Sequence, residues 1–242
     1  MSSRVRAVIW DFDNTLVDSR ERNLAVTRRI AVRLLGRWDA FSMLSSLESY
    51  EAALWRTANW RDMYRVELGM DEEAVDEAGR LWTECQISET TQATIFPGVR
   101  KALEELRHLP NGIVSANSRR NIRETLRAHE LEGHFKAVIG FEEVHLRAQK
   151  PAPDGFLLCA ERLNALKLGV LVYVGDHEAD ARCAQNVNAE LERRGVEVRV
   201  ISVGADYGRS EGAEWSVEPD HRASSPKDVV RIVAAIEGSS LH

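Results

Sequence analysis

Val5-Arg-Ala-Val-Ile-Trp-Asp-Phe-Asp-Asn-Thr15 governs how the rest of the chain is read. Its first six residues, Val5 to Trp10, are apolar apart from Arg6 and include the β-branched Val5, Val8 and Ile9, the composition of a short buried strand. Asp11 falls at the C-terminal end of that strand. Alternate side chains of an extended segment point the same way, so Asp11 and Asp13 can face one side. Two carboxylates at the C-terminal edge of a parallel sheet stand where such sheets bind ligands. One can ligate a metal or attack phosphorus while the other trades a proton. A plain turn rich in Asp and Asn is the other reading of the same letters.

The pattern of strand followed by polar turn recurs beyond Pro97-Gly98. A helix from about Val99 to Leu109 is stopped by Pro110-Asn-Gly. Then come strand Gly112–Ser115, helix Arg119–His129, strand Ala137–Gly140, helix Asp154–Leu166 and strand Val170–Val174. A long helix near 178–194 ends at Gly195, before strand Val196–Val203 and a last helix, Lys227–Ile236. This alternation predicts an α/β fold, a doubly wound parallel sheet covered on both faces. Val170–Val174 leads into Gly175-Asp-His-Glu-Ala-Asp180, a second set of acids at a strand end. Asp176 can ligate a hard cation such as Mg²⁺, which favours carboxylate oxygen. Asp180, about one helical turn on, can orient or supplement the site; an N-cap with acids in the first turn is the alternative. Ser115 ends a strand, where its hydroxyl and the following N–H groups could hold a phosphate oxygen. Lys150, in Gln149-Lys150-Pro151, could offset phosphate charge.

Between Asp18 and Thr94 the character changes. No strand-like run occurs, and Leu, Val, Ile and Trp recur at helical spacing. Four helices are predicted, near 19–36, 39–57, 59–68 and 71–90, the last opened by Asp71-Glu-Glu. The domain organisation is therefore one α/β domain, residues 1–17 with 95–242, interrupted by a helical insertion, residues 18–94. Trp38, Phe41, Tyr50, Trp55, Trp60, Tyr64 and Trp82 are read as the core of a small helical bundle.

A net charge of −6 over 242 residues argues against a general nucleic-acid binder. The N-terminus has no apolar stretch of signal-peptide length. The clearest uncharged apolar run, Leu168 to Gly175, falls far short of the roughly 20 residues that span a bilayer. Cys85, Cys159 and Cys183 have no paired spacing and read as reduced thiols. A cytoplasmic protein with neither membrane nor nucleic-acid partners is expected; nothing in the sequence sets its oligomeric state.

Taken in order, Asp11-x-Asp13-x-Thr15 after the first strand, Ser115 after a later one, Lys150-Pro151, and Gly175-Asp176-x-x-x-Asp180 after another resemble the haloacid dehalogenase (HAD) superfamily. With the core, the resemblance covers nearly the whole chain. The insertion after the first motif is similar to the α-helical cap of phosphoglycolate-phosphatase-like members, on a Rossmann-like core. The resemblance implies a Mg²⁺-dependent phosphatase that hydrolyses a small phosphorylated metabolite, a phosphate monoester, through an aspartyl-phosphate. Asp11 would be the nucleophile, and Asp13 would protonate the leaving alcohol and later activate water. Mg²⁺ would be held by the side chains of Asp11 and Asp176 and the main-chain carbonyl of Asp13, with Asp180 in support. Ser115 and Lys150 would bind the phosphoryl group, with Thr15 and Asn117 as further phosphate-binding candidates. Cations on the nonbridging oxygens would offset the repulsion between a carboxylate and a phosphate dianion.

In capped members the cap supplies specificity residues; Arg20, Arg56, Trp60, Arg61 and Tyr64 have polar tips suited to that task. His177, Glu178 and the lengthened stretch 186–194 depart from the commonest pattern. Three other chemistries use the same scaffold. Halide displacement needs neither a leaving-group acid nor Mg²⁺, and Asp13, Asp176 and Asp180 speak for phosphorus instead. A Schiff-base phosphonatase needs a cap lysine, yet Lys101, Lys136, Lys150, Lys167 and Lys227 all lie outside the insertion. A sugar phosphomutase is the alternative kept, although the insertion holds no histidine. A non-catalytic binding protein would be expected to have lost a motif acid, and all are present.

Overall fold

The computed structural model describes residues 4–57, 59–209 and 214–238. The chain runs β1 (Val5–Trp10), β2 (Val17–Asp18), α1 (Arg20–Leu35), α2 (Leu47–Arg56), α3 (Trp60–Leu68), α4 (Glu72–Ile87), β3 (Thr94–Ile95) and α5 (Val99–Glu105). It continues through β4 (Asn111–Val114), α6 (Arg119–Ala128), β5 (Phe135–Ile139), α7 (Asp154–Arg162), β6 (Gly169–Gly175), α8 (Glu178–Arg193), β7 (Val198–Ala205), β8 (His221–Ala223) and α9 (Pro226–Gly238). Two compact units result, residues 1–18 with 95–242 and residues 19–94. The first boundary falls one residue later than expected, because Asp18 belongs to β2, which pairs with β3 in a two-stranded sheet.

The larger unit is built on a six-stranded sheet of order β5-β4-β1-β6-β7-β8, parallel throughout. This is the doubly wound α/β fold that the alternation predicts. β1 pairs with β4 through Trp10 and Ile113, and with β6 through Trp10 and Val174. Chain connections leave β1 toward β4 and leave β6 toward β7, so the order reverses between β1 and β6. In open α/β sheets ligands bind at that switch point, beyond the C-terminal strand ends. Every residue of β6 is buried, which explains its unbroken apolar run. On one face Ile9, Leu171 and Tyr173 pack with Phe156 and Leu157 of α7 and with Val187 and Leu191 of α8. Each such side chain contributes about 1.5–3 kcal/mol by burial. Trp10 donates its indole N–H to Asn111 at 2.9 Å, and the Asn111 amide donates to the carbonyls of Leu106 and Leu109. That buried link joins the strand carrying the first acids to the turn ahead of β4.

The smaller unit packs α1–α4 around Ile30, Leu44, Met63, Tyr64 and Val75. Ser46, Asn59 and Asp71 cap α2, α3 and α4 by accepting from the N–H three residues on. The helix expected over 39–57 begins only at Leu47, after a 3-10 turn at Ser42–Leu44, because Ser46 caps it there. Trp38 is 37% exposed rather than part of the bundle core, and the Arg28 guanidinium lies 4.5 Å from its ring centre. Thr27, Tyr50 and Tyr64 form a buried hydroxyl cluster at 3.2 Å separations. Among the described residues no helix is long and apolar enough to cross a membrane.

Candidate active site

The Asp11 N–H donates to the Val174 carbonyl at 2.7 Å, carrying the β1–β6 ladder one residue past the strand. The chain then turns tightly: the N–H groups of Leu16 and Val17 donate to the Phe12 carbonyl at 3.0 and 3.2 Å. Asn14 adopts a left-handed backbone, φ 56°, which Asn tolerates better than most residues. On the neighbouring strand, Gly175 precedes Asp176 and the start of α8. A Cβ on Gly175 would lie 2.4 Å from the carboxyl carbon of Asp180, so only glycine lets that carboxylate fold back over the strand end.

Three carboxylates meet there. Asp11, Asp176 and Asp180 are buried, and each offers an oxygen within 4.8 Å of the others. Lys150 donates to Asp11 and to Asp180, each at 2.7 Å. Asp180 also accepts from the Tyr173 hydroxyl at 2.9 Å and from the His177 N–H at 3.1 Å. Thr15 donates its hydroxyl to Asp176 at 3.2 Å.

Asp13 stands beside this group. Its Oδ2 accepts from the Asn117 amide at 2.8 Å, while its buried Oδ1 has no hydrogen-bond partner among the described residues. Asn117 in turn accepts through its amide oxygen from the Ser118 N–H and from Asn121, and donates its own N–H to the Ser115 hydroxyl at 3.1 Å.

Burial pushes Asp11 up to about 7, with help from the Asp180 and Asp13 charges and against the pull of Lys150. Burial also raises Asp176 well above the carboxylate range, and Asp11 and Asp180 raise it further. For Lys150, burial favours the neutral amine, but Asp11 and Asp180 outweigh it and hold the ammonium above the usual lysine range. Three buried carboxylates thus repel one another around a single ammonium. Their donors are all carboxylate oxygen, the set that hard divalent cations prefer. On that ground the residues fit a magnesium ion.

All eight residues singled out from the sequence therefore belong to one neighbourhood, though not all in the posture expected. Thr15 spends its hydroxyl on Asp176, and Asn117 spends its amide on Asp13. His177 caps α8, its ring nitrogen accepting from the Ala179 N–H at 3.2 Å, and burial lowers its basicity. Glu178 accepts from the Ser216 N–H at 2.8 Å and from the Ser216 hydroxyl. In the lengthened part of α8, Asn188 exchanges two hydrogen bonds with the main chain of Val200 in β7. Tyr173 and Asn121 were not anticipated. Tyr173 is the one hydroxyl in the apolar run of β6, a signal that could have found it. In the smaller unit, Arg20 pairs with Glu51, Arg56 with Glu67, and Arg61 with Glu72 and Asp76, while Tyr64 donates to Thr27.

Residues 8–191 match the family model of haloacid dehalogenase-like hydrolases. The chain belongs to that family. Human N-acylneuraminate-9-phosphatase is 28% identical over 193 residues, covering 72% of this chain and 75% of the human one. Fructose-1-phosphate phosphatase YqaB of Escherichia coli K12 is 24% identical over 178 residues, covering 72% and 88%. A crystal structure from Lactobacillus plantarum, assigned as a phosphoglycolate phosphatase, superposes with a TM-score of 0.75 at 22% identity, over 96% of this chain and all of that one. That last likeness is one of fold. The enzyme class defined by the family and by the relatives it contains is phosphoric monoester hydrolase.

Proposed function

We propose that this protein is a Mg²⁺-dependent phosphatase that hydrolyses a small sugar phosphate through an aspartyl-phosphate on Asp11. The carrying observation is the cluster of Asp11, Asp176 and Asp180 with Lys150 bridging two of them. Sugar phosphates are the substrate class because two curated relatives are named for N-acylneuraminate-9-phosphate and fructose-1-phosphate chemistry.

In this reading a carboxylate oxygen of Asp11 attacks phosphorus while the bond to the leaving oxygen breaks. Asp13 gives that oxygen its proton. Its Oδ1 is the atom suited to the transfer, since Oδ2 is held by Asn117. The same oxygen then takes a proton from water, which attacks phosphorus, frees Asp11 and releases inorganic phosphate. Lys150 and Ser115 face the transferring oxygens. Asp11 and Asp176, with the main-chain carbonyl of Asp13 and support from Asp180, would hold Mg²⁺. When bound, that ion supplies positive charge against the nonbridging oxygens. The helical insertion, 19–94, acts as a cap that selects the leaving group. The three free, buried cysteines fit a reducing compartment such as the cytoplasm.

The test is release of inorganic phosphate from p-nitrophenyl phosphate and from a panel of phosphorylated metabolites. Release should require Mg²⁺, stop on chelation, and be abolished by Asp11→Asn with the fold intact. Phosphate release that survives in Asp11→Asn would remove Asp11 as nucleophile. An isomerised sugar phosphate in place of free phosphate would favour a phosphomutase.

A further inference from the structure

One stretch of chain behind the two acidic loops is predicted by no motif and unused by the proposed mechanism. It follows β7, passing through the turn Asp206–Gly208 to Arg209 and then Glu214–Ser216. Tyr207 donates its hydroxyl to the main-chain carbonyl of Thr15 at 2.9 Å. Arg209, 8% exposed, donates Nη1 to the main-chain carbonyl of Asp176 at 2.7 Å. Thr15 and Asp176 are already joined, hydroxyl to carboxylate, at 3.2 Å. The three bonds and the short chain from Tyr207 to Arg209 close a ring. Gly208 sits inside it, where a Cβ would lie 1.6 Å from the Asn14 carbonyl oxygen, so the turn lies directly against the first acidic loop.

The ring is anchored from outside. Arg209 Nη2 donates to the Glu214 carbonyl at 2.7 Å, and its guanidinium lies 3.9 Å from the ring centre of Trp215. Trp215 donates to Asp206 at 2.9 Å. Ser216 holds the carboxylate of Glu178, the first residue of α8. The same segment therefore grips Asp176 at its main chain and the helix that follows it.

We infer that Tyr207 and Arg209 form a strap that sets the separation of the two acidic loops, and that Arg209 is a positioning residue for Asp176. A carboxylate at a strand-to-helix turn keeps two freedoms, the path of its own backbone and the rotation of its side chain. Arg209 removes the first with a charge-assisted bond, and Thr15, itself fixed by Tyr207, removes the second. The inference rests on the reading that Asp176 helps to hold Mg²⁺. Partners of ligating carboxylates typically change metal affinity by about 10–100-fold when removed.

Thermal melts over a Mg²⁺ titration test it, alongside kcat and KM for p-nitrophenyl phosphate. Arg209→Met should raise the Mg²⁺ concentration for half-maximal stabilisation by about tenfold or more. At saturating Mg²⁺, KM should move less than about twofold while kcat falls, since Lys150 and Ser115 stay in place. Leu191→Ala is the control, a buried truncation at the other end of α8 that lowers Tm without touching the loops. Tyr207→Phe, which loses one hydroxyl, should raise the midpoint less, and adding it to Arg209→Met should cost little more because the ring is already open. If Arg209→Met does not fold, Tyr207→Phe against Leu191→Ala decides. Equal midpoints for the strap variants and the control would overturn the strap. Absence of any Mg²⁺-dependent shift in the wild type would instead overturn the metal reading, and the strap with it.

Discussion

Asp13 has two carboxylate oxygens in different circumstances, one held by Asn117 and one buried without a partner among the described residues. Asp13→Asn keeps the shape and removes the proton. It should cost about 10²–10⁴-fold in kcat on an alkyl phosphate and much less on p-nitrophenyl phosphate, whose leaving group needs little help. Equal losses on both substrates would assign Asp13 to the metal rather than to the proton. Gly175 makes a second case. Gly175→Ala must displace the Asp180 carboxylate, 2.4 Å from the new methyl, and with it the Lys150 bridge. Activity should fall at least about tenfold, with about 1–3 kcal/mol lost from stability; a wild-type kcat would mean that the first turn of α8 yields freely. The acids were legible in the sequence because each follows an apolar strand. The postures of Thr15 and Asn117 were not, because their hydrogen-bond partners come from distant strand ends. Tyr207 and Arg209 carried no signal, since the carbonyls they reach are identical at every position in a sequence.

Strands β1, β4, β5, β6 and β7 were legible as apolar runs between turn residues, and α8 as a long helix between acids and Gly195. The two-residue strands β2 and β3 were too short for any periodicity to show. The late start of α2 was visible in principle: Ser45-Ser46 ahead of Glu48 is a helix-start pattern, overridden by the hydrophobic spacing around it. Helix α1 carries one polar position whose purpose only packing discloses. Thr27 lies in the bundle core, donates to the Asn23 carbonyl at 2.8 Å and accepts from the Tyr64 hydroxyl. Thr27→Val fits the space but withdraws that acceptor, so the unit should lose about 1–3 kcal/mol. Urea unfolding measures it, and a loss under about 0.5 kcal/mol would show that the hydroxyls re-pair among themselves.

At the scale of the molecule, the motif residues all lie in one unit while the helical bundle closes a core of its own. Replacing residues 19–94 by a short linker should leave a partly active enzyme on p-nitrophenyl phosphate. Discrimination among sugar phosphates should collapse, as read from kcat/KM for several metabolites once circular dichroism shows the sheet intact. An unchanged ranking of substrates would return specificity to core loops such as Asn117–Arg120. The placement of β1 has a different consequence, for the order in which the molecule is made. Val8 finds its sheet neighbours in Asn111 on one side and Val172 on the other, the first synthesised soon after the bundle and the second long after it. The bundle's contacts all close within residues 19–94, α1 against α4 included, whereas β1 must pair across a far longer stretch of chain to reach β6, which is slower. As the chain leaves the ribosome, the insertion is therefore the first part able to fold. Val5–Trp10 emerges before the bundle and settles after it, a largely apolar strand waiting in solvent until β4 and β6 arrive to enclose it.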